Sequence, residues 1–374
     1  MFKKRWIAIL VVFALISGTA YAQVTYGGQL QMGTNIISGT NVKEADIMSG
    51  GAYGAPTNYH EAKFSAVFGD GQAGGRLVWR LNDRDAWGWM QWRPNEFFRI
   101  KIGHDRDGEW GGAQISGWGF TGEAKNSVGA VNDWSNNSPQ SMGYVRRGFY
   151  GGIGDGESFS VLMSFWPMDN VQVNFGVPNF SEQKIDDQFA KAHLGAIIRI
   201  EEVGVARVYF QGRGGLAKDS ADPIGNIFAS FFLNSIQGMA LDLGFKYSLP
   251  AVDVSDTYDN MDVGLGFTYG ADPFNVKFRL GASFGGKSGG EARDPQLAFG
   301  ILPYYKLPKM WVFFHAGMGM TLADEVTSDW FINPYVWVPM GSMRMWVGLQ
   351  IEDMSRVREG EVKWNVPFGF NFYF

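Results

Sequence analysis

Hydrophobic and polar residues alternate along much of this chain, most clearly over the last thirteen positions. One set of alternate positions there is apolar throughout: Val362, Trp364, Val366, Phe368, Phe370, Phe372 and Phe374. Successive side chains of a β-strand point to opposite faces, so this pattern predicts a strand with one apolar face. An aromatic sheet edge in water invites aggregation, whereas a closed barrel in lipid has no free edge. The pattern therefore favours a barrel over a soluble sheet.

Shorter alternating runs, separated by Gly, Asp, Asn and Pro, continue the pattern back to residue 23. We expect strands at 23–35, 59–69, 73–81, 86–93, 95–104, 157–166, 169–177, 189–200, 203–213, 225–233, 236–248, 259–270, 273–284, 294–306, 309–321, 331–338, 341–351 and 360–374. Most are near the roughly 9–11 residues that a tilted membrane strand needs. The predicted fold class is all-β: a single antiparallel transmembrane β-barrel of about eighteen strands, with about sixteen as the alternative.

The predicted connections alternate between short and long. Short turns such as 69–73 and 307–308 alternate with longer loops, the longest of which is 104–156. Bacterial single-chain barrels have short periplasmic turns, longer external loops and an even number of strands. Eighteen strands therefore place both termini and the short turns on the periplasmic side. The segment 143–152 resembles a strand, but counting it alone would break the even number, so we assign it to the loop.

The N-terminus has the pattern of a secretory signal peptide. Basic residues at 3–5 precede the apolar run 6–16, and the small residues Ala20 and Ala22 follow at the spacing of a cleavage site. The apolar run is shorter than the about 20 residues that a membrane helix requires. We therefore expect a cleaved signal peptide at 1–22 and one barrel domain at 23–374.

Composition narrows the class of protein. The chain has 32 basic and 37 acidic residues, and the predicted cleavage removes three of the basic ones, which argues against a nucleic-acid partner. The absence of cysteine excludes disulfides and thiolate metal sites. A mean hydropathy of −0.12 is too low for a helical membrane protein and fits alternating lipid-facing and water-facing residues.

The inward face of the predicted barrel is rich in cations. When the apolar set of each strand faces lipid, the opposite set contains Arg76, Arg80, Arg99, Lys101, Lys191, Arg199, Arg207, Arg213, Lys277, Arg279, Arg344 and Lys363. The clear inward acids are Glu61, Asp242 and Asp262. Any barrel interior is polar, and these cations could simply pair with acids of the loops. The excess of one sign nevertheless favours a lumen that admits anions, because basic side chains offset part of an anion's lost hydration.

The long segment 104–156 is expected to fold into the barrel and narrow it. Loops of this length are usually functional or disordered, and the aromatic residues here argue against disorder. Candidate constriction residues are Asp105, Asp107, Glu109, Trp110, Arg146 and Arg147. The alternative is a surface loop that faces outward.

Aromatic residues occupy alternate positions near the C-terminus: Trp311, Phe313, Tyr335, Trp337 and Trp346. If these side chains face inward, they form an aromatic path on which sugars could stack. The alternative is the aromatic girdle found at the membrane interfaces of such barrels, and a one-residue slip in register would turn the rings to lipid.

Catalytic chemistry is not predicted. The chain has only four histidines, without metal-type spacing, and no G-x-S-x-G motif. We therefore predict that the protein is not an enzyme and has no catalytic residues, metal or cofactor.

The N-terminal segment, the rhythm of strands and turns and the terminal strand together resemble bacterial outer-membrane porins. The C-terminus is similar to the signal that the barrel-assembly machinery reads: Gly369, Phe372 and Phe374 match it, whereas Pro367 replaces a polar residue. The resemblance implies outer-membrane lipid as surroundings and, in many members, a homotrimer. It also places 104–156 at the third external loop, which forms the constriction of general porins, although the usual P-E-F-G-G motif is absent.

These patterns together predict a porin, a channel through which small hydrophilic solutes diffuse passively, with a preference for anions. A barrel of about 16–18 strands leaves an aqueous channel. Two alternatives remain open: a substrate-selective channel for sugars or organic anions, and a non-conducting adhesin or structural barrel.

Overall fold

The computed structural model describes residues 25–41, 43–47, 59–69, 72–80, 85–103, 160–178, 189–212, 214, 216, 224–233, 235–249, 257–258, 261–285, 287–288, 291–292, 294–353 and 360–374. The predicted signal peptide and the whole of the predicted constriction loop lie outside these residues. Within them, no helix is long and apolar enough to cross a membrane.

Strands make up nearly all of the described chain. In order they are β1 (Thr25–Thr40), β2 (Lys43–Ile47), β3 (Tyr59–Gly69), β4 (Ala73–Arg80), β5 (Asp85–Asn95), β6 (Phe98–Gly103), β7 (Ser160–Met168), β8 (Val171–Pro178), β9 (His193–Ile200), β10 (Gly204–Gly212), β11 (Gly225–Leu233), β12 (Met239–Leu249), β13 (Thr257–Tyr258), β14 (Met261–Ala271), β15 (Phe274–Phe284), β16 (Lys287–Ser288), β17 (Glu291–Ala292), β18 (Gln296–Lys306), β19 (Trp311–Thr321), β20 (Thr327–Met340), β21 (Met343–Gly348), β22 (Gln350–Asp353) and β23 (Val362–Tyr373).

The main sheet closes on itself. Neighbouring strands pair antiparallel along the chain, and β1 pairs with both β3 and β23. β2 forms a hairpin with the end of β1 and is not a separate strand of the ring. β21 and β22 both pair with β20 on one side and β23 on the other, so β21 and β22 together count as one interrupted strand. The ring then contains eighteen strands among the described residues. The predicted closed antiparallel barrel is confirmed, and this number agrees with the prediction.

The seam between β1 and β23 is fastened at both ends. Near the short turns, the Gly28 amide donates to the Phe374 carbonyl at 2.7 Å, and the Phe374 amide donates back at 3.1 Å. At the other end, Asn41 Nδ2 donates to the Gly360 carbonyl at 2.7 Å, and Asn41 Oδ1 accepts from the Val362 amide at 2.9 Å. The first and last strands therefore leave no unpaired edge along this seam.

Burial distinguishes the two faces of the closed sheet. On β19, Val312 and Phe314 are 40% and 44% exposed, whereas Phe313 and His315 between and beside them are buried. Side chains on the inner face of a closed sheet converge, so the buried set faces inward and the exposed apolar set faces outward. This is the alternation that the sequence predicts.

The structure differs from the predicted strands in places. β5 continues to Asn95 beyond the predicted turn at 93–95, because Asn95 Oδ1 accepts hydrogen bonds from the Phe97 and Phe98 amides at 3.0 and 2.9 Å and builds the turn there. β20 begins at Thr327 instead of residue 331. Two predicted loops also contribute to a small separate sheet, in which β16 pairs with β13 and β17.

Candidate functional site

One part of the inner face is a polar surface on β6 to β9, which we call the polar wall. Its residues are Arg99, Lys101, Ser164, Trp166, Gln172, Asn174 and Arg199. Cross-strand register brings them together, since Arg99 lies opposite Ser164 and Ser164 lies opposite Asn174.

Hydrogen bonds connect the side chains of the polar wall. Arg99 Nη2 donates to Ser164 Oγ at 3.1 Å. Arg199 Nη2 donates to Gln172 Oε1 at 3.2 Å, and Gln172 Nε2 donates to Asn174 Oδ1 at 3.0 Å. These bonds hold both guanidinium groups against the barrel wall, and Ser164, Gln172 and Asn174 are buried beneath them.

Aromatic rings also hold the cations on this side. The guanidinium carbons of Arg93 and Arg99 lie 4.8 and 5.1 Å from the centre of the Trp166 ring. Lys101 Nζ lies 4.2 Å from the centre of the Trp89 ring. A cation within about 6 Å of a ring face is attracted by the ring's quadrupole. A ring is neutral, so this contact orders the cation without cancelling its charge.

A second part of the inner face, which we call the aromatic wall, consists of Tyr304, Trp311, Phe313, Tyr335, Trp337 and Trp346 on β18 to β21. The register makes Phe313 a direct neighbour of both Tyr304 and Tyr335. The Phe313 ring centre lies 5.0 Å from that of Tyr304 and 4.4 Å from that of Tyr335, with the second pair nearly parallel. The faces of these rings therefore pack on one another.

Tryptophans form the second row of the aromatic wall, closer to the short turns. Trp337 lies directly opposite Trp311 on one side and Trp346 on the other. The ring centres of Trp311 and Trp337 are 4.8 Å apart in an edge-to-face arrangement. Trp346 is fully buried, whereas Trp311 is only partly buried and packs against the buried rings at the edge of the aromatic wall.

Three cations rim the aromatic wall. Lys277 Nζ lies 5.7 Å from the Tyr304 ring centre, and Lys306 Nζ lies 5.2 Å from that of Trp311. The Arg344 guanidinium lies 4.7 Å from the Trp337 ring and 5.0 Å from the Tyr373 ring. Both walls thus hold cations by ring contacts, but only the aromatic wall packs its rings together.

Comparison with solved structures identifies the fold. OpdQ from Pseudomonas aeruginosa aligns with a TM-score of 0.56 at 9% identity, covering 94% of this chain and 98% of that one. OpdL from the same species aligns at 0.54 and 11%, covering 95% and 99%. An anion-selective porin from Comamonas acidovorans aligns at 0.52 and 10%, covering 95% and 100%. This chain has the fold of an outer-membrane porin. No family model and no curated protein sequence matches it.

The porin fold places the predicted basic residues unevenly. Lys101 and Lys277 are buried, Arg199 is exposed, and five are half-buried: Arg76, Arg99, Lys191, Arg207 and Arg344. Four have side chains outside the described part of the structure, namely Arg80, Arg213, Arg279 and Lys363. The loop residues Asp105, Asp107, Glu109, Trp110, Arg146 and Arg147 are outside it as well. Their roles in the porin therefore stay predictions.

The other predicted sites all lie within the described residues, and all are in strands except Phe374, which directly follows β23. The five predicted aromatic residues come together in the aromatic wall, and their use as a sugar path stays a prediction. In the terminal strand Gly369 is buried, whereas Phe372 and Phe374 are exposed and their ring centres lie 5.8 Å apart.

Sequence reasoning missed several residues of the inner face. Lys246 on β12 is buried and lies opposite Phe228. It lies two residues after Gly244 and four after Asp242, on the same face of the strand. Since Asp242 was assigned inward, the same alternation would have assigned Lys246 inward as well. The contacts of Trp166 with two arginines depend on cross-strand register, which alternation within one strand does not reveal. Tyr304 was missed because both faces of β18 carry apolar residues.

An ion pair connects β18 to the turn between β14 and β15, at the short-turn end of the porin fold. Lys306 Nζ lies 2.7 Å from Asp272 Oδ1, in the turn between β14 and β15. The hydrogen bond and the charge of Lys306 lower the pKa of the Asp272 carboxyl, which is otherwise exposed. Within the described residues, no three His, Asp or Glu side chains gather as a metal site.

Proposed function

We propose that this chain is an outer-membrane porin through which small hydrophilic solutes diffuse passively, with anions favoured over cations. The observation that carries the proposal is that opposite walls of the inner face hold cations in ordered positions over aromatic rings, among them Lys101, Arg99, Lys277 and Arg344. The short turns lie on the periplasmic side in this proposal, as in other single-chain bacterial barrels.

The preference for anions follows from the cost of moving an ion out of bulk water. An anion in a narrow lumen loses part of its hydration, and fixed positive charges on the lining offset that loss. The same charges repel cations. The ring contacts hold these guanidinium and ammonium groups in ordered positions on the lining. The Comamonas porin is described as anion-selective, so this fold accommodates such a preference.

Further parts of the proposal rest on the sequence patterns. A signal peptide at 1–22 exports the chain, and the C-terminal residues Gly369, Phe372 and Phe374 serve as the signal for the barrel-assembly machinery. Outer-membrane lipid surrounds the apolar outer face. Residues 104–156 fold into the lumen as a constriction, and the barrels associate as a homotrimer.

Reconstitution in a planar bilayer under a KCl gradient tests the proposal. We expect discrete open steps and a reversal potential that favours chloride. Replacing two inner cations in the variant Lys101→Gln/Lys277→Gln should shift the reversal potential towards potassium, since the lining loses two positive charges. The matched control is Lys309→Gln, which removes a charge from an exposed turn residue and should leave the reversal potential unchanged.

Other outcomes separate the alternatives. Block of the chloride current by an added sugar or organic anion would indicate a substrate-selective channel. Channels that prefer potassium would support the porin function but contradict the proposed role of the basic lining. Verified folded barrels without conductance would favour an adhesin or structural barrel.

A further inference from the structure

The aromatic wall lies across the barrel from the polar wall. Along the ring of eighteen strands, β19 is nine positions from β7 and β20 is nine positions from β8, which is half the circumference. Both walls lie in the half of the barrel next to the short turns, since Trp311 begins β19, Trp337 is near the end of β20, and Trp166 is near the end of β7. The two walls therefore face each other across one level of the lumen.

The rings of the aromatic wall form one closed layer. Phe313 and Trp346 are each 1% exposed, although both are on the inner face of the sheet. Ring-to-ring contacts within the layer contribute to this burial, since the Phe313 ring centre lies 4.4 Å from that of Tyr335. Interiors packed in this way resist changes in side-chain position. The layer therefore acts as a rigid thickening of the barrel wall.

A glycine at the end of β21 makes room for the layer. Gly348 lies opposite Tyr335, and a Cβ added there would be 2.6 Å from Tyr335 Cβ and 2.9 Å from the Pro334 carbonyl oxygen. The close packing of Tyr335 therefore depends on the missing side chain opposite it.

We infer that the aromatic wall is a constriction built into the barrel wall itself, which displaces the open passage towards the polar wall and limits the size of permeating solutes. This inference rests on the proposed porin function and deepens it. Solutes that pass the constriction run along the side chains of Arg99 and Arg199, which are hydrogen-bonded to the buried Ser164 and Gln172. The size limit at this level comes from strand residues, so it is independent of any constriction by a loop.

The variant Trp337→Ala/Trp346→Ala tests the inference. We expect a larger single-channel conductance and a larger cutoff for polyethylene glycols that enter the pore, because two buried indole rings leave the layer. The matched control is Val312→Ala/Phe314→Ala on the outer face of β19, which should leave both quantities unchanged. A second variant, Trp311→Ala, removes a half-buried ring from the edge of the layer and should increase the conductance less.

The Trp311→Ala variant keeps the test usable if the double variant does not fold, because it leaves the buried centre of the layer in place. Both variants are also made in a chain that lacks residues 110–145, so that a loop constriction in series cannot mask the change. An unchanged conductance and cutoff in both backgrounds would overturn the inference. The chloride preference of the same channels is a separate readout: its absence would reject the proposed anion preference, and folded barrels without any conductance would reject the proposed porin.

Discussion

The polar wall and the aromatic wall occupy opposite sides of one barrel and hold their side chains in place in different ways. Arg99, Ser164 and Gln172 are held by hydrogen bonds and single rings, so each contact is local. Phe313 and Trp337 are held by other rings of the same layer. The same alternation of faces thus produces a charged lining on one side and a close-packed layer on the other. The inner face of one barrel therefore differs in chemistry from one side to the other.

The largest difference between the walls should be in stability. Phe313→Ala removes a buried ring stacked between two others and should lower the free energy of unfolding by about 3–5 kcal/mol, as for other buried phenylalanines. Ser164→Ala on the polar wall removes one hydrogen bond to Arg99 and should cost about 1–3 kcal/mol. Urea unfolding of both variants in lipid vesicles measures the difference. Equal losses would show that the two walls do not differ in packing.

A smaller effect should follow from removing a ring under the polar wall. Trp166→Leu deletes the ring that contacts Arg93 and Arg99, which should cost about 0.5–1 kcal/mol per contact. The number of charges is unchanged, so the reversal potential in a KCl gradient should shift less than in Lys101→Gln/Lys277→Gln. The control is Trp79→Leu, at an exposed tryptophan of β4. A complete loss of chloride preference would mean that the ring, and not only the charge, determines selectivity.

The smallest effect should come from the ion pair beside the aromatic wall. Lys306 lowers the pKa of Asp272 below the ordinary value of about 3.9, so the pair stabilises the folded barrel fully above that value. This contribution is lost as the pH falls through the lowered pKa. Asp272→Asn should therefore unfold at a slightly lower temperature than the unaltered chain at neutral pH. The two should unfold alike once the pH is well below the lowered pKa, and a difference that persists there would exclude the carboxylate as its cause.

Most strands were predictable from the sequence because alternate positions on one face of each are mostly apolar. β3 and β11 have the predicted bounds, and the terminal strand was evident from its phenylalanines. The two-residue strands of the small sheet, β13, β16 and β17, were not predictable, since a period of two requires several residues to become visible.

The candidate site was predictable only in part. Alternation placed Trp311, Phe313 and Trp337 on one face, and the structure brings these rings together. Which cation lies over which ring depends on the register between strands: Lys101 reaches Trp89 on the neighbouring β5, and Arg344 reaches Tyr373 on β23. Register between strands is set by turns and by packing across the whole sheet, which a single strand's pattern does not contain.

The seam between β1 and β23 also has a kinetic consequence. Its hydrogen bonds join residues that are 319 and 321 positions apart in the chain. Contacts of such high sequence separation form slowly, because the entropy of closing the intervening loop is lost before the contact stabilises anything. Until β1 and β23 pair, both strands expose unpaired backbone groups, which hydrocarbon does not solvate. Closure of this seam is therefore a slow step in forming the barrel, and an intermediate that precedes it needs its two open edges shielded until the first and last strands meet.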